Sequence, residues 1–159
     1  MQYDISSGSI VSTLTLTGAG YRNTYHYGWG GYSDIDFAVD EQGLWVLYST
    51  SSNGGKMVIS KLETSPFAIE DTWNTNSTLK TGLGNAFMIC GVMYTTANYS
   101  SSPTVVSYAY DTEDSTDWFP SLTFYNDYGY NSSIDYNPTE GVLYSWDSSR
   151  RVTYELTIE

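Results

Sequence analysis

Cysteine, histidine, basic side chains and long apolar runs are all scarce in this chain, and each scarcity removes a class of function. Cys90 is the only cysteine and His26 the only histidine. His26 stands in Tyr25-His26-Tyr27 with no glycine-bounded nucleophile signature beside it, which argues against a catalytic thiol. The apolar run Phe87-Met88-Ile89-Cys90 predicts that Cys90 is buried as a small hydrophobe; the other reading is half of a bridge whose partner is absent. Six basic against 18 acidic residues give a formal charge of −12. Such a field repels a phosphate backbone or an anionic membrane, so nucleic acid is excluded as a partner. No apolar stretch approaches the roughly 20 residues that span a bilayer, so no membrane insertion is expected. Met1-Gln2-Tyr3-Asp4 is not the start of a secretory signal. Helical periodicity is also missing.

What is present favours strands. Aromatic residues make up 16% of the 159 positions, and Val, Ile and Thr recur between clusters of Gly, Asn and Ser. A chain of this length suffices for one domain with a sizeable core. Surface carboxylates in such excess keep a β-rich protein soluble, and they are also compatible with a cation site.

One motif recurs at blade spacing. Ser33-Asp34-Ile35-Asp36-Phe37 runs on to Gly43-Leu44-Trp45; Asn85-Ala86-Phe87 runs on to Gly91-Val92-Met93-Tyr94; Ser132-Ser133-Ile134-Asp135-Tyr136 runs on to Val142-Leu143-Tyr144. Asp36, Asn85 and Asp135 therefore fall at steps of 49 and 50. A strand-rich repeat of about 50 residues with glycine turns selects the β-propeller, whose blade is a four-stranded antiparallel sheet. The first blade is predicted with strands at 35–39, 44–49, 56–62 and 67–73, and the second at 85–90, 92–97, 104–110 and 118–124. The third has room for strands at 133–137 and 142–145, with 152–158 as a further one. Strands at 3–5 and 10–17 read as the outer part of a preceding blade. The division is thus full blades at 33–80 and 81–131, with blade remnants at 1–32 and 132–159. About three blades form an open arc, and its exposed edges call for a cover.

If equivalent strands surround one axis, Asp36, Asn85 and Asp135 converge. Calcium takes six to eight oxygen ligands of this kind, and two carboxylates near an axis are costly without a cation. The competing reading is that Asp and Asn at strand starts bond their own backbone. A third reading makes Asp36 and Asp135 the acid and base of a propeller glycoside hydrolase, or the sugar contacts of a glycan-binding lectin, with Asp34 as a further acid. The aromatic loop Tyr25-His26-Tyr27-Gly28-Trp29-Gly30-Gly31-Tyr32 is read as packing under a blade connection rather than as a binding loop. Asn76, Asn98 and Asn131 match the N-glycosylation pattern, each in a polar stretch that reads as a loop, and lean towards an extracellular location.

Gly18-Ala19-Gly20-Tyr21, Trp29-Gly30-Gly31-Tyr32-Ser33-Asp34-Ile35-Asp36-Phe37-Ala38-Val39-Asp40-Glu41, Asn85-Ala86-Phe87-Met88-Ile89-Cys90-Gly91, Tyr108-Ala109-Tyr110-Asp111, Asp135-Tyr136-Asn137-Pro138 and Trp146-Asp147 together resemble the olfactomedin domain over nearly the whole chain. The resemblance implies an all-β, five-bladed β-propeller of which this chain supplies about three blades. It further implies a secreted, non-enzymatic module for adhesion and protein–protein contact, with Ca2+ on the axis. Carried over, the ligands are the side chains of Asp36, Asn85 and Asp135 and the carbonyls of Ala86 and Ile134. Asp34 would help hold a second, monovalent ion such as Na+. The chain resembles only the later part of the domain, and it lacks the cysteine with which the family pairs the residue at Cys90. The missing N-terminal part, or a second copy, is then expected to complete the ring, and an extracellular or cell-surface protein to be the partner.

Overall fold

Apolar side chains alternating with polar ones over five to nine residues, punctuated by glycine, place one face of each segment in a core and leave the chain as antiparallel hairpins. The computed structural model describes residues 1–157, and these are all-β. A short hairpin opens the chain, β1 (Gln2–Asp4) with β2 (Ser9–Ser12). The first blade is the sheet β3 (Asp36–Asp40), β4 (Gly43–Ser49), β5 (Lys56–Thr64) and β6 (Phe67–Leu79), paired in that order. A single 3-10 turn at Lys80–Gly82 leads to β7 (Asn85–Ile89), β8 (Val92–Thr96) and β9 (Thr104–Asp111) of the second blade. Its outer strand comes in two pieces, β10 (Asp117–Trp118) and β11 (Leu122–Phe124), both paired to β9. The third sheet is β12 (Asn131–Asn137), β13 (Val142–Asp147) and β14 (Arg150–Glu155). The innermost strands β3, β7 and β12 pack against one another in all three pairings. This is an arc of a β-propeller, with the first residue of each inner strand, or a neighbour of it, at one end of the axis.

Two faces of each blade alternate. Ala38, Trp45, Leu47 and Ile59 of blade one pack on Met88, Met93, Tyr108 and Tyr110 of blade two. The opposite face of blade two, through Phe87, Ile89, Val106 and Phe124, packs on Ile134, Tyr136 and Leu143 of blade three. Burying each Leu, Ile, Val, Phe or Met side chain among them contributes about 1.5–3 kcal/mol. Blade one's other face is covered over its outer half by Leu14, Leu16 and Ala19, while Ile35, Phe37 and Val39 remain exposed.

Several expectations need correction. The strand expected at 10–17 ends at Ser12, because Leu14 and Leu16 turn inward to cover blade one. The outer strand expected at 118–124 is broken at Phe119-Pro120-Ser121, where Pro120 has no N–H to offer a ladder and Ser121 has φ 54°. The last strand starts earlier than expected and ends at Glu155; residue 158 lies outside the described residues. Cys90 is exposed, not buried. The apolar run stops at Ile89, and Cys90-Gly91 form a tight hairpin turn with φ 50° and 81°, the two positive values of a type I′ turn. A φ of 81° favours glycine at position 91, and a Cβ there would also push aside the side-chain amide of Gln42.

This turn is where blade one grips blade two. Asp40 accepts from Gly91 N at 2.6 Å and from the indole of Trp45 at 2.7 Å. Glu41 accepts from Cys90 N at 3.0 Å and, through its other oxygen, from the Tyr136 hydroxyl at 2.6 Å. One carboxylate thus joins all three blades at the lower end of the axis. Desolvation and the Glu41 carboxylate hold the Cys90 thiol above its usual range, the opposite of an activated nucleophile.

Candidate metal centre

At the upper end of the axis Asp36 opens β3 and Asn85 opens β7, each delivered by a loop that its neighbours hold in place. Asp36, Asn85 and Ile134 line one polar cavity of about 250 Å3, with Tyr27, Trp29 and Ser133 among its other walls. Asn85 is buried and Asp36 half-buried, whereas Asp135 is exposed and is not among the residues that line this cavity. Asp36 accepts from the Tyr27 hydroxyl at 2.9 Å. Asn85 donates from Nδ2 to the Asn131 carbonyl at 2.9 Å, which leaves Oδ1 facing only a long 3.3 Å contact from the Trp29 indole. Asp135 accepts from the Ser133 hydroxyl at 2.9 Å. Ala86 and Ile134 are buried beside these side chains.

The electrostatics are those of a site short of positive charge. Burial is the main cause that pushes the Asp36 carboxyl up to about 6, and the charge of Asp135 adds to it, while Tyr27 and Lys80 oppose. Although the residue as a whole is exposed, desolvation of its carboxyl raises Asp135 too, and the Ser133 hydroxyl opposes this. Among the described residues no three carboxylate, imidazole or thiol groups converge, so two carboxylates and an amide make a mixed oxygen set. Hard oxygen donors of this kind suit calcium better than zinc, which favours nitrogen and sulfur.

Lys80 and Tyr27 are the participants that residue patterns did not reveal. Lys80 is completely buried. Its ammonium donates to the Ser33 carbonyl at 2.6 Å and the Asp34 carbonyl at 2.9 Å, and lies 4.3 Å from the centre of the Tyr27 ring. Burial lowers it to about 8. A lone lysine in the polar stretch Thr78-Leu79-Lys80-Thr81-Gly82 carries no local signal of burial. The aromatic loop does pack under a blade connection as expected, Gly28 N donating to the Leu83 carbonyl at 2.8 Å, and the same packing delivers the Tyr27 hydroxyl to Asp36.

Asp34 departs from its expected role. Its two carboxylate oxygens accept from Asn23 N and Tyr25 N, both at 2.7 Å. The group anchors the loop before blade one instead of turning to the axis, and Lys80 occupies its carbonyl. The sequons also divide. Asn98 lies in a loop and Asn76 is exposed but within β6. Asn131 is no loop residue: it opens β12, is fully buried, and its Nδ2 donates to Asn126 Oδ1 at 3.1 Å. That nitrogen is not presented to a glycan in the folded chain.

A family model described as olfactomedin-like domain matches residues 1–159. Myocilin of Rattus norvegicus is 42% identical over 158 residues, covering 99% of this chain and 31% of the rat protein. Myocilin of Oryctolagus cuniculus is 44% identical over 158 residues, covering 99% and 32% respectively, and that of Homo sapiens 42% over 158 residues, covering 99% and 31%. The chain spans about a third of the length of these relatives.

Proposed function

The chain belongs to the olfactomedin-like domain family, and from that premise we propose that it acts outside the cell as a protein-interaction and adhesion module whose blades are locked by calcium on the axis. The observation that supports this reading is the polar cavity at which Asp36 and Asn85 meet from two inner strands, with the charge of Asp135 near enough to raise Asp36, so that the carboxylates outweigh Lys80. A bound Ca2+ would supply the missing positive charge and stitch the three blades together. Ala86 and Ile134 are the carbonyl donors, and the exposed Asn76 and the loop residue Asn98 are the glycosylation sites. The exposed stripe Ile35, Phe37 and Val39 is the surface on which a further blade, from the same domain or from a second copy, would pack. The partner is an extracellular or cell-surface protein.

The test is thermal unfolding with calcium and with chelator, alongside intact mass under native conditions. Chelation lowers the melting temperature, and Asp36→Ala or Asp135→Ala removes most of that difference; an unchanged melt in both variants rejects the axial metal. The pH dependence has a definite sign. Without metal the Asp36 carboxyl stays protonated up to about 6 when folded, against about 3.9 when unfolded. The folded state then holds the extra proton, so metal-free stability falls as pH rises from about 4 to 6, by at most about 3 kcal/mol before solvent screening. The calcium gain is therefore largest above pH 6.

A raised carboxyl also suits a glycosidase acid, which keeps the Asp36/Asp135 enzyme as a second reading. It is the weaker one, since a cavity of about 250 Å3 falls below the roughly 300–1,000 Å3 usual for ligand pockets. It requires glycan turnover that disappears in Asp135→Asn.

A further inference from the structure

Two cavities of the molecule differ in their walls. The groove of about 450 Å3 between blades two and three is lined by Phe87, Val106, Phe124 and Leu143 and demands only shape from its neighbours. The axial cavity is lined by Asp36 and Asn85, and an oxygen that is to ligate a metal must be aimed as well as present. The groups that hydrogen-bond a metal ligand from behind fix its direction and its basicity.

One segment supplies such groups to both residues. The Tyr27 hydroxyl donates to Asp36 Oδ2 at 2.9 Å, and two residues further on the Trp29 indole donates to Asn85 Oδ1 at 3.3 Å. The second contact crosses from the loop before blade one to the first residue of blade two's inner strand. Asn85 is held at its other end too, where Nδ2 donates to the Asn131 carbonyl at 2.9 Å. Its amide plane is therefore set by blade three on one side and by Trp29 on the other, with the oxygen on the side of Trp29, which itself lines the cavity.

The indole is immobilised in turn. Gly30 and Gly31 have φ 82° and 68°, and a Cβ at Gly31 would lie 1.9 Å from Trp29 Cζ3, so any side chain at 31 moves the ring. Gly30 N donates to the Tyr27 carbonyl at 2.8 Å. The Ser33 hydroxyl closes the turn, donating to the Gly30 carbonyl at 2.6 Å and accepting from Tyr27 N at 2.9 Å. From blade three the Tyr130 hydroxyl donates to the Trp29 carbonyl at 3.2 Å. A ring buried for its area alone could turn its nitrogen to solvent; here the single polar atom of the Trp29 side chain is directed at the amide oxygen of Asn85.

We propose that Trp29 is a positioning residue for the axial cation: its indole N–H holds the Asn85 amide oxygen in the direction from which it ligates, so that the aromatic loop before blade one sets the cation affinity of a ligand belonging to blade two. This rests on the calcium reading above and names a residue on which the affinity depends.

The experiment measures the Ca2+ dissociation constant by calorimetric titration for the natural chain, Trp29→Phe and Gly31→Ala, with a melt in chelator to show that each variant is folded. Tb3+ serves as a second probe, the waters bound to it being counted from its emission lifetimes in H2O and D2O. Loss of a partner of this kind lowers metal affinity about 10–100-fold, and Trp29→Phe is expected to weaken Ca2+ within that range. Gly31→Ala keeps the tryptophan and displaces its ring, so it weakens binding in the same direction and decides the matter if Trp29→Phe does not fold. In both variants the bound Tb3+ gains a water, because the Asn85 oxygen no longer points to the ion. Unchanged Ca2+ affinity in the variants, or weaker affinity with unchanged hydration of Tb3+, which is the result for a residue that only packs, overturns this inference and leaves the axial site standing. A natural chain that binds no Ca2+ overturns the axial site and this inference with it.

Discussion

The seam between blades one and two and the seam between blades two and three are built from the same strand pattern, yet one is sealed and the other gapes. In the first, Trp45, Leu47, Met57, Ile59, Met88 and Met93 are all completely buried. In the second, the counterparts Phe87, Ile89, Val106, Phe124, Tyr136 and Leu143 keep 3–9% exposure beside the groove of about 450 Å3. The difference lies at the outer edge. Blades diverge from an axis, so the space between them widens outward and needs large side chains from the outer strands. β6 runs unbroken for 13 residues and brings Trp73 to 5.9 Å from Trp45. Blade two's outer strand is broken at Pro120, and blade three shows three strands among the described residues. The inner strands determine where the axis is; the outer strands determine whether a seam closes.

The largest effect is expected from removing the charge that ties blade one to the link into blade two. Lys80→Met keeps the length of the side chain and its contact with the Tyr27 ring. It leaves the Ser33 and Asp34 carbonyls without their donor and Asp36 without its nearest cation. Loss of one partner from a buried charged network costs about 3–5 kcal/mol. Urea unfolding of the variant at neutral pH measures this, and a loss below about 1 kcal/mol would mean that the sealed seam does not depend on Lys80.

A matched pair separates packing from charge. Leu47 and Leu143 are both buried, one in each seam. Leu→Ala costs between about 2 and 5 kcal/mol, depending on how much cavity remains afterwards. Leu47→Ala opens a void among completely buried neighbours and belongs at the upper end. Leu143→Ala enlarges a groove that already exists and belongs at the lower end. Equal losses in denaturant unfolding would show that the two seams are equivalent in solution, despite their different outer strands.

The parts of this arrangement that were legible beforehand are those repeated along the chain. The inner strands, their hairpin turns and the meeting of Asp36 and Asn85 at one cavity follow from a motif that recurs every 49 or 50 residues, because each copy must face the same axis; Asp135, deeper in its strand and exposed, does not line that cavity. Features that depend on a single side chain meeting a distant one were hidden. Nothing local to Lys80 signals that 46 residues earlier the Asp34 carbonyl awaits its ammonium. Cys90 ends an apolar run, and only the turn geometry it shares with Gly91 puts it in solvent. Asn131 sits in a polar stretch and is buried because Asn85 and Asn126 both bond it. Apolar periodicity reports which face is covered, whereas polar burial is decided by partners that the pattern does not encode.

The smallest effect reverses the sign of the usual core substitution. Ala38 faces the sealed seam, and Val106 lines the groove. Adding methyl groups to a filled core forces neighbours off their rotamers and costs about 1–3 kcal/mol, so Ala38→Val is expected to destabilise by an amount in that range. Val106→Leu adds one methylene where there is room, and burying it contributes up to about 0.8 kcal/mol. That variant is expected to melt at the same temperature as the natural chain or slightly above. Destabilisation by both would place a filled core at both seams and require the groove to collapse in solution. Tolerance of both would mean that the first seam yields as readily as the second, and that the outer strand of blade one is not what seals it.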